Sequence, residues 1–183
     1  GDFASGDVYT IDKTAPTAEM SSATLDTTNV SPIPVTVTFS EPVTGFGAAD
    51  ITTSNCTVNN FAGSEATYTF LLAPTAPGTL TASIAEGVCA DPAGNGNIAA
   101  AEFSRNFDNI PPTASLSSSA PDWTNSGITV DVTLSESTAG FTGDDIATIN
   151  ATVTGFTGSG TSYSFTLTPL AKSGKTQGQF SAV

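Results

Sequence analysis

The side chains of this chain best able to do chemistry are carboxylates and amides that flank strand-like segments. Glu41 and Asp50 lie beside one such segment, and the motif DPAGNGN, which begins at Asp91, follows another. Oxygen-rich sets of this kind suit Ca²⁺, which takes six to eight oxygen ligands. The same residue types stabilise tight turns through hydrogen bonds to the backbone, so turn chemistry is the alternative. The candidate ligands are Asp12, Glu41, Asp50, Asp91, Asn95, Asp108, Glu136 and Asp145, with Asn97 and Asp144 beside them.

These side chains do not form a recognisable catalytic arrangement. The chain contains no histidine, so a Ser-His-Asp or Cys-His arrangement is excluded. The adjacent carboxylates of Asp144 and Asp145 would point to opposite faces of a strand, whereas a glycosidase needs two carboxyls facing each other across a cleft. Two cysteines without histidine are also too few ligands for a structural zinc site. We therefore expect a protein that is not an enzyme.

An internal repeat dominates the organisation of the chain. The stretch SEPVTGFGAADITTSNCTVNNF, beginning at Ser40, returns 95 residues later as SESTAGFTGDDIATINATVTGF, beginning at Ser135. Such a period indicates tandem structural units. We predict one domain over residues 14–109 and a second over residues 110–183 that lacks its last strand. Residues 1–13 are interpreted as the last strand and linker of a preceding repeat.

The elements that must position the oxygen ligands are predicted to be β-strands. Segments such as VTVTF and YTFLL alternate apolar and polar residues, the period of a sheet with one buried face. About seven such strands per repeat, separated by turn residues, predict an all-β protein of tandem immunoglobulin-like β-sandwiches. The predicted core of the first copy is Val35, Val37, Phe39, Tyr68, Phe70, Leu72, Leu80, Ala82, Ile84, Phe103 and Phe107. That of the second copy is Val130, Val132, Leu134, Tyr163, Phe165, Leu167, Phe180 and Ala182.

Strand direction places the candidate ligands at one end of each sandwich. If each strand reverses direction, Glu41, Asp50 and the loop that contains Asp91 gather at the pole where the linker residue Asp12 enters. We therefore expect Ca²⁺ at the junctions between domains, where the ion would stiffen the joint. Asp108, Glu136 and Asp145 are the equivalent positions of the second copy.

Composition restricts the partners of the chain. The formal net charge is -13, and the four cationic residues are Lys13, Arg105, Lys172 and Lys175. Phosphate backbones would be repelled, which excludes nucleic acid as a partner. No apolar run approaches the roughly 18 residues of a membrane span, so we expect no direct membrane insertion. Arg105 is out of phase with Phe103 and Phe107, which predicts that it lies on the solvent face of its strand.

The elements TAPT, SEPVTGF and DPAGNGN resemble the bacterial Ig-like repeats that occur in tandem in large surface-anchored and secreted proteins, including adhesins. The resemblance covers residues 15–109 and what remains of the second copy. It implies an extracellular or cell-surface location, with neighbouring Ig-like repeats of the same chain and cell-surface ligands as partners. Similar repeats also occur in extracellular filament proteins of protists and algae.

An extracellular location bears on two further features. Cys56 and Cys89 are predicted to form a disulfide, with two buried thiols as the alternative. Asn29, Asn55 and Asn150 lie in sequons that accept N-linked glycans in a eukaryotic secretory pathway.

We expect a structural or adhesive segment that acts as a stalk or spacer in a large repetitive surface protein. One alternative is a subunit segment of an extracellular filament, in which copies assemble through lateral or strand-completing contacts. A second alternative is a carbohydrate-binding module, which would need exposed aromatic side chains clustered on one face. Trp123 is the sole tryptophan, and Tyr68 and Tyr163 are in phase with core phenylalanines. The chain therefore offers few aromatic side chains for such a surface.

Overall fold

The computed structural model describes residues 10–121 and 124–170, and these residues form twelve β-strands. The chain divides into two compact units, Gly1–Ile110 (unit 1) and Pro111–Val183 (unit 2). The strands of unit 1 are β1 (Ala18–Ser21), β2 (Thr27–Thr28), β3 (Ile33–Phe39), β4 (Ile51–Ser54), β5 (Cys56–Ser64), β6 (Thr67–Pro74), β7 (Gly78–Ile84) and β8 (Phe103–Phe107). Those of unit 2 are β9 (Ala114–Ser117), β10 (Ile128–Leu134), β11 (Ala151–Ser159) and β12 (Ser162–Pro169). Short 3-10 helices, Ala48–Asp50 and Gly143–Asp145, interrupt the strands.

Unit 1 is a sandwich of two four-stranded sheets. One sheet has the order β1-β3-β6-β5, and the other has the order β2-β8-β7-β4. Neighbouring strands are antiparallel except β2 and β8, which are parallel. This division of strands between two sheets is that of an immunoglobulin-like sandwich, so the predicted fold class is confirmed.

The core of unit 1 lies between its two sheets. Alternation along β3 turns every second side chain inward, and Ile33, Val35, Val37 and Phe39 are all buried. All eleven predicted core residues are buried. The core also takes in Phe46 from the β3–β4 connection, whose ring lies 5.0 Å from that of Tyr68. Edge-to-face aromatic pairs of this kind each contribute about 0.5–1.5 kcal/mol beyond area burial.

Unit 2 repeats the first sheet of unit 1. Its described strands form one sheet of order β9-β10-β12-β11. Val132 pairs with Tyr163 as Val37 pairs with Tyr68, so the register is conserved between the two units. The six predicted core residues of β10 and β12 are buried. The sequence repeat is therefore a structural repeat down to the pairing of individual residues.

Some predictions concern residues outside the described ranges. They are the part of a preceding repeat predicted within residues 1–9, the core residues Phe180 and Ala182, the position of Trp123, and the missing last strand of the second copy.

Arg105 lies on β8, as predicted, but its side chain is half-buried. Its guanidinium donates hydrogen bonds to the carbonyls of Ser22 and Thr24, and it lies 4.4 Å from the ring of Phe103. The chain therefore uses this cation to hold the β1–β2 connection onto β8.

Among the described residues, none forms a helix with the length and apolar character needed to cross a lipid bilayer.

Candidate functional site

Three carboxylates meet at one pole of unit 1. One oxygen each of Asp12, Glu41 and Asp91 lies within 4.8 Å of the other two. Asp12 precedes β1, Glu41 follows β3, and Asp91 lies in the connection between β7 and β8, residues 85–102, which we call the β7–β8 loop. The sandwich topology brings these three distant positions of the sequence together. We refer to the three side chains as the carboxylate cluster.

The β7–β8 loop is shaped by a tight turn that begins at Asp91. The backbone N–H of Asn95 donates to Asp91 Oδ1 at 2.8 Å, and Asn95 Nδ2 donates to Asp91 Oδ2 at 2.8 Å. Asn95 Nδ2 also lies 3.3 Å from the carbonyl oxygen of Asp12. Asn95 therefore fixes the Asp91 carboxylate and ties the segment that enters unit 1 to the loop.

The loop is also anchored to the chain that follows β3. Thr44 and Ala90 exchange backbone hydrogen bonds of 2.8 and 3.1 Å, and the Ile98 N–H donates to the carbonyl of Pro16. Sequence reasoning missed this anchoring because Thr44 lies in a connection without strand periodicity. The repeated motif SEPVTGF was the available signal, since it contains Thr44.

Two members of the carboxylate cluster have pKa values that are shifted in opposite directions. The hydrogen bonds from Asn95 hold the pKa of Asp91 below its ordinary value, although the side chain is only 3% exposed. Burial, together with the negative charges of Asp12 and Asp91, raises the pKa of Glu41. Hydrogen bonds thus favour the anion of Asp91, whereas burial and the neighbouring negative charges disfavour the anion of Glu41.

The donor set of the carboxylate cluster fits a hard cation. Two oxygens bound to one Ca²⁺ at about 2.3–2.6 Å can lie up to about 5 Å apart, which accommodates the separations within the cluster. All three side chains offer oxygen only, the ligand type that Ca²⁺ and Mg²⁺ prefer. A bound cation would also offset the negative charges of Asp12 and Asp91, which raise the pKa of Glu41 in addition to burial.

The other candidate ligands make hydrogen bonds of their own. Asp50 Oδ2 accepts from the N–H of Gly47, and Asp108 Oδ1 accepts from the N–H of Ile110. Asp145 Oδ2 accepts from the N–H and the hydroxyl of Thr142. Asp12 and Asp91 accept turn hydrogen bonds as well, so these bonds do not decide between turn chemistry and a cation; the three carboxylates differ from the cluster in lying outside it. Glu136 is half-buried, and within the described part of unit 2 no three carboxylates converge.

Asn97 lies beside the carboxylate cluster in sequence but has a structural role. It is 2% exposed, and its Oδ1 accepts from the N–H of Cys89. Its Nδ2 donates to the carbonyls of Ala85 and Ile98. Its side-chain oxygen accepts a hydrogen bond inside the β7–β8 loop, and its role as a cation ligand stays a prediction.

The predicted disulfide is not formed, because Cys56 and Cys89 are both free and buried. Cys56 Sγ lies 3.5 Å from the carbonyl of Thr81, which pairs with Ser54 at the end of β4. Burial raises the pKa of the Cys89 thiol, and the negative charge of Asp50, the residue before β4, raises it further. Both side chains are therefore buried thiols, the alternative raised from the sequence.

The three sequons occupy different environments. Asn29 and Asn150 are exposed, and Asn55 is half-buried. Asn55 Nδ2, the atom that would carry a glycan, donates to the carbonyls of Ala76 and Thr79. Glycosylation at all three positions stays a prediction, and at Asn55 it would compete with these hydrogen bonds.

Aromatic side chains do not form an exposed platform within the described residues. Tyr68 and Tyr163 are buried in the cores of their units. Phe61, Phe141 and Phe156 are half-buried and pack against these tyrosines. This part of the chain therefore offers no surface of the kind that the carbohydrate-binding alternative requires.

Comparison with known proteins gives one match. The family model described as "Bacterial Ig-like domain" matches residues 12–107 and again residues 108–181. Searches of curated proteins and of solved structures gave no match.

Proposed function

Because the chain belongs to the bacterial Ig-like domain family, we propose that it is a non-catalytic spacer segment of a large extracellular surface protein. The observation that carries this proposal is the repetition of one sheet, with the same strand order and the same register, in two successive units. Each tandem unit of this kind adds its own length to the array, and the stabilities of the units are approximately additive.

The outer faces of the sheets are consistent with a solvated spacer. Thr36 and Thr38 of β3 lie opposite Thr69 and Thr67 of β6, and three of these four are exposed. Across unit 2, Thr166 pairs with both Thr129 and Thr154. The hydroxyl groups of these threonines keep the sheet surfaces hydrated, and their β-branching favours the strand conformation. Such surfaces need no partner to cover them.

The spacer proposal is tested by the length of tandem arrays. Proteins that contain residues 12–107 in two, four and eight copies would be compared by small-angle X-ray scattering. The maximum dimension should increase by a constant increment per copy, since each unit adds its own length. An increase with about the cube root of copy number would indicate a collapsed particle and would refute the spacer.

Within this function we propose that Ca²⁺ binds the carboxylate cluster and fixes the segment that enters unit 1. Asp12, Glu41 and Asp91 would supply carboxylate oxygens from the entering segment, the end of β3 and the β7–β8 loop. The ion would neutralise the negative charges of Asp12 and Asp91, which raise the pKa of Glu41 in addition to burial. It would also tie Asp12 to a loop that is already held by buried side chains.

The cation proposal is tested by thermal unfolding of the whole chain in excess EGTA and in millimolar Ca²⁺. A ligand present at 100 times its Kd stabilises the folded state by about 2.7 kcal/mol. That stabilisation raises the Tm of a unit this size by roughly ten degrees or more. The Asp91→Asn variant should lose the shift, and Glu19→Gln, on the exposed outer face of β1, should retain it. If Ca²⁺ does not raise the Tm of the unaltered chain, the cation proposal is refuted and these carboxylates serve turn and linker contacts only.

A further inference from the structure

Asn95 and Gly96, in the β7–β8 loop, form the only Asn-Gly pair of the sequence. An asparagine loses its side-chain amide when the backbone nitrogen of the next residue attacks its Cγ. Glycine in that next position favours the attack, because it has no Cβ to obstruct the approach and leaves the backbone free to rotate. Every other asparagine of the chain precedes a residue that carries a Cβ. Asn95 is therefore the asparagine whose sequence context most favours deamidation.

The backbone nitrogen that would attack is accessible. Gly96 is exposed, and its N–H donates to no residue within the described ranges. The neighbouring groups of the turn are paired, since the Asn97 N–H donates to the carbonyl of Cys89 and the Asn95 carbonyl accepts from the Asp91 N–H. The Gly96 nitrogen therefore need not give up a described hydrogen bond in order to react.

The side chain that would be attacked is held through its nitrogen. Asn95 is half-buried, and its Nδ2 donates to Asp91 Oδ2 at 2.8 Å and lies 3.3 Å from the carbonyl oxygen of Asp12. Gly94, which precedes Asn95, is exposed and has φ +93°. Glycines with broad conformational freedom thus flank the reacting residue on both sides. The turn permits the rotation that brings the Gly96 nitrogen to Asn95 Cγ, and the hydrogen bonds of Nδ2 slow it.

We propose that Asn95 is a site of spontaneous deamidation, and that the reaction releases the segment that enters unit 1. The Gly96 nitrogen loses its proton and forms a bond to Asn95 Cγ. The bond from Cγ to Nδ2 breaks, and ammonia leaves with that proton. Water then opens the cyclic imide at either carbonyl, which gives aspartate or isoaspartate at position 95. The sequence consumes one water, releases one ammonia and needs no oxidant or reductant.

The product cannot hold the entering segment as Asn95 does. It has no amide nitrogen to donate to Asp91 Oδ2 or to the carbonyl of Asp12. A carboxylate oxygen in the place of Nδ2 would instead lie beside Asp91 Oδ2, and the two negative charges would repel each other. Isoaspartate also adds one carbon to the backbone of the turn. Older molecules should therefore hold the entering segment less firmly than newly made ones.

The first experiment incubates the whole chain in EGTA at mildly alkaline pH and locates isoaspartate by peptide mapping and enzymatic methylation. We expect isoaspartate to accumulate faster at position 95 than at any other asparagine. Gly96→Ala should slow its formation about tenfold, because the added methyl group hinders the attack. That Cβ would lie 3.3 Å from Gly87 Cα, so the loop accommodates it with a small shift. Gly47→Ala, whose Cβ meets only Asp50 Oδ2 at 3.7 Å, is the matched control and should leave the rate unchanged.

Two results of this experiment would overturn the proposal. One is no more isoaspartate at position 95 than at the other asparagines of the unaltered chain, a comparison that does not depend on how any variant folds. The other is an equal rate of formation in Gly96→Ala and in the unaltered chain.

The second experiment tests the release of the entering segment by hydrogen exchange of residues 10–16 in EGTA. Asn95→Asp removes the Nδ2 donor, so exchange in this segment should become several-fold faster. Asn59→Asp makes the same charge change at an exposed position of β5 and should leave the exchange unchanged. Equal exchange in Asn95→Asp and the unaltered chain would refute the release. Because EGTA is present throughout, neither experiment depends on the cation proposal.

Discussion

At the scale of single residues, the carboxylate cluster makes stability depend on pH in two opposite ways. Glu41 has its pKa raised above the ordinary 4.5, so the folded state holds the proton more tightly and stability falls as pH rises above that value. Asp91 has its pKa lowered from the ordinary 3.8. Its stabilising contribution is therefore present above pH 3.8 and is lost as pH falls through its folded-state pKa.

We predict that Glu41→Gln stabilises unit 1 at pH 7 when divalent cations are absent. The substitution removes the charge that Asp12 and Asp91 repel. Tm measured in EGTA between pH 4 and pH 8 should decline less steeply above pH 4.5 in the variant than in the unaltered chain. Glu19→Gln is the charge-matched control and should leave the slope unchanged. Parallel Tm profiles for Glu41→Gln and the unaltered chain would contradict the charge balance described for the cluster.

Asn97 supports the second prediction at this scale. Replacement by Ala leaves the Cys89 N–H and the carbonyls of Ala85 and Ile98 without their buried partner. Each buried group left unsatisfied costs about 1–3 kcal/mol, so Asn97→Ala should destabilise unit 1 by roughly 3 kcal/mol in urea unfolding. Asn59→Ala, at an exposed position of β5, should cost much less. Equal effects of the two substitutions would show that the loop does not depend on Asn97.

At the scale of elements, both units place a glycine at the same point of an irregular edge strand. Gly63 in β5 has φ +135°, and Gly158 in β11 has φ +131°. A Cβ at Gly63 would overlap the backbone of Thr67 and Tyr68, and one at Gly158 would overlap Ser162 and Tyr163. The repeat of these glycines is thus explained by close backbone approach in each hairpin.

We predict that Gly63→Ala destabilises unit 1 by about 3 kcal/mol, through backbone strain together with steric overlap. The matched control is Gly45→Ala, where φ is also positive but no atom lies within 4 Å of the added Cβ. Gly45→Ala should cost only about 1 kcal/mol, the strain alone. Urea unfolding measures both. A cost for Gly63→Ala no larger than that for Gly45→Ala would contradict the overlap.

The strands could be predicted from the sequence because their alternation is a local signal. Val35, Val37 and Phe39 repeat with period 2, and burial between two sheets follows directly from that pattern. Positions in connections carry no such period. The sequence alone therefore predicts a cation ligand at Asp50 and a disulfide at Cys89, whereas the Asp50 carboxylate accepts a hydrogen bond from the Gly47 N–H and the Cys89 thiol is free.

The carboxylate cluster could be predicted from the sequence only in part. Its convergence at one pole follows from strand direction, which the sequence indicates. The choice of Asp91 over Asp50 depends on the path of the β7–β8 loop, and that path is set by long-range contacts such as Thr44 to Ala90. Contacts of this kind leave no periodic pattern in the sequence.

At the scale of the whole molecule, the separate cores of the two units predict independent unfolding. The buried residues of unit 1 form one cluster within residues 33–107, and those described for unit 2 form another within residues 130–167. Nearest-neighbour models of repeat proteins treat such units as nearly additive, coupled only by a junction term.

We predict that a fragment of residues 10–110 unfolds within about three degrees of the transition that unit 1 shows in the whole chain. Calorimetry in EGTA is the measurement, because a bound cation would add its own term to the stability. The position of the unit 1 transition in the whole chain is identified with Asn97→Ala, which should lower that transition and leave any other in place. The contrary result is a single transition of the whole chain whose Tm falls in Asn97→Ala, while the fragment unfolds at a much lower temperature than the chain. That pair of results would show that the two units fold as one body. The stability of a spacer built by repetition would then depend mainly on the junction term between neighbouring units.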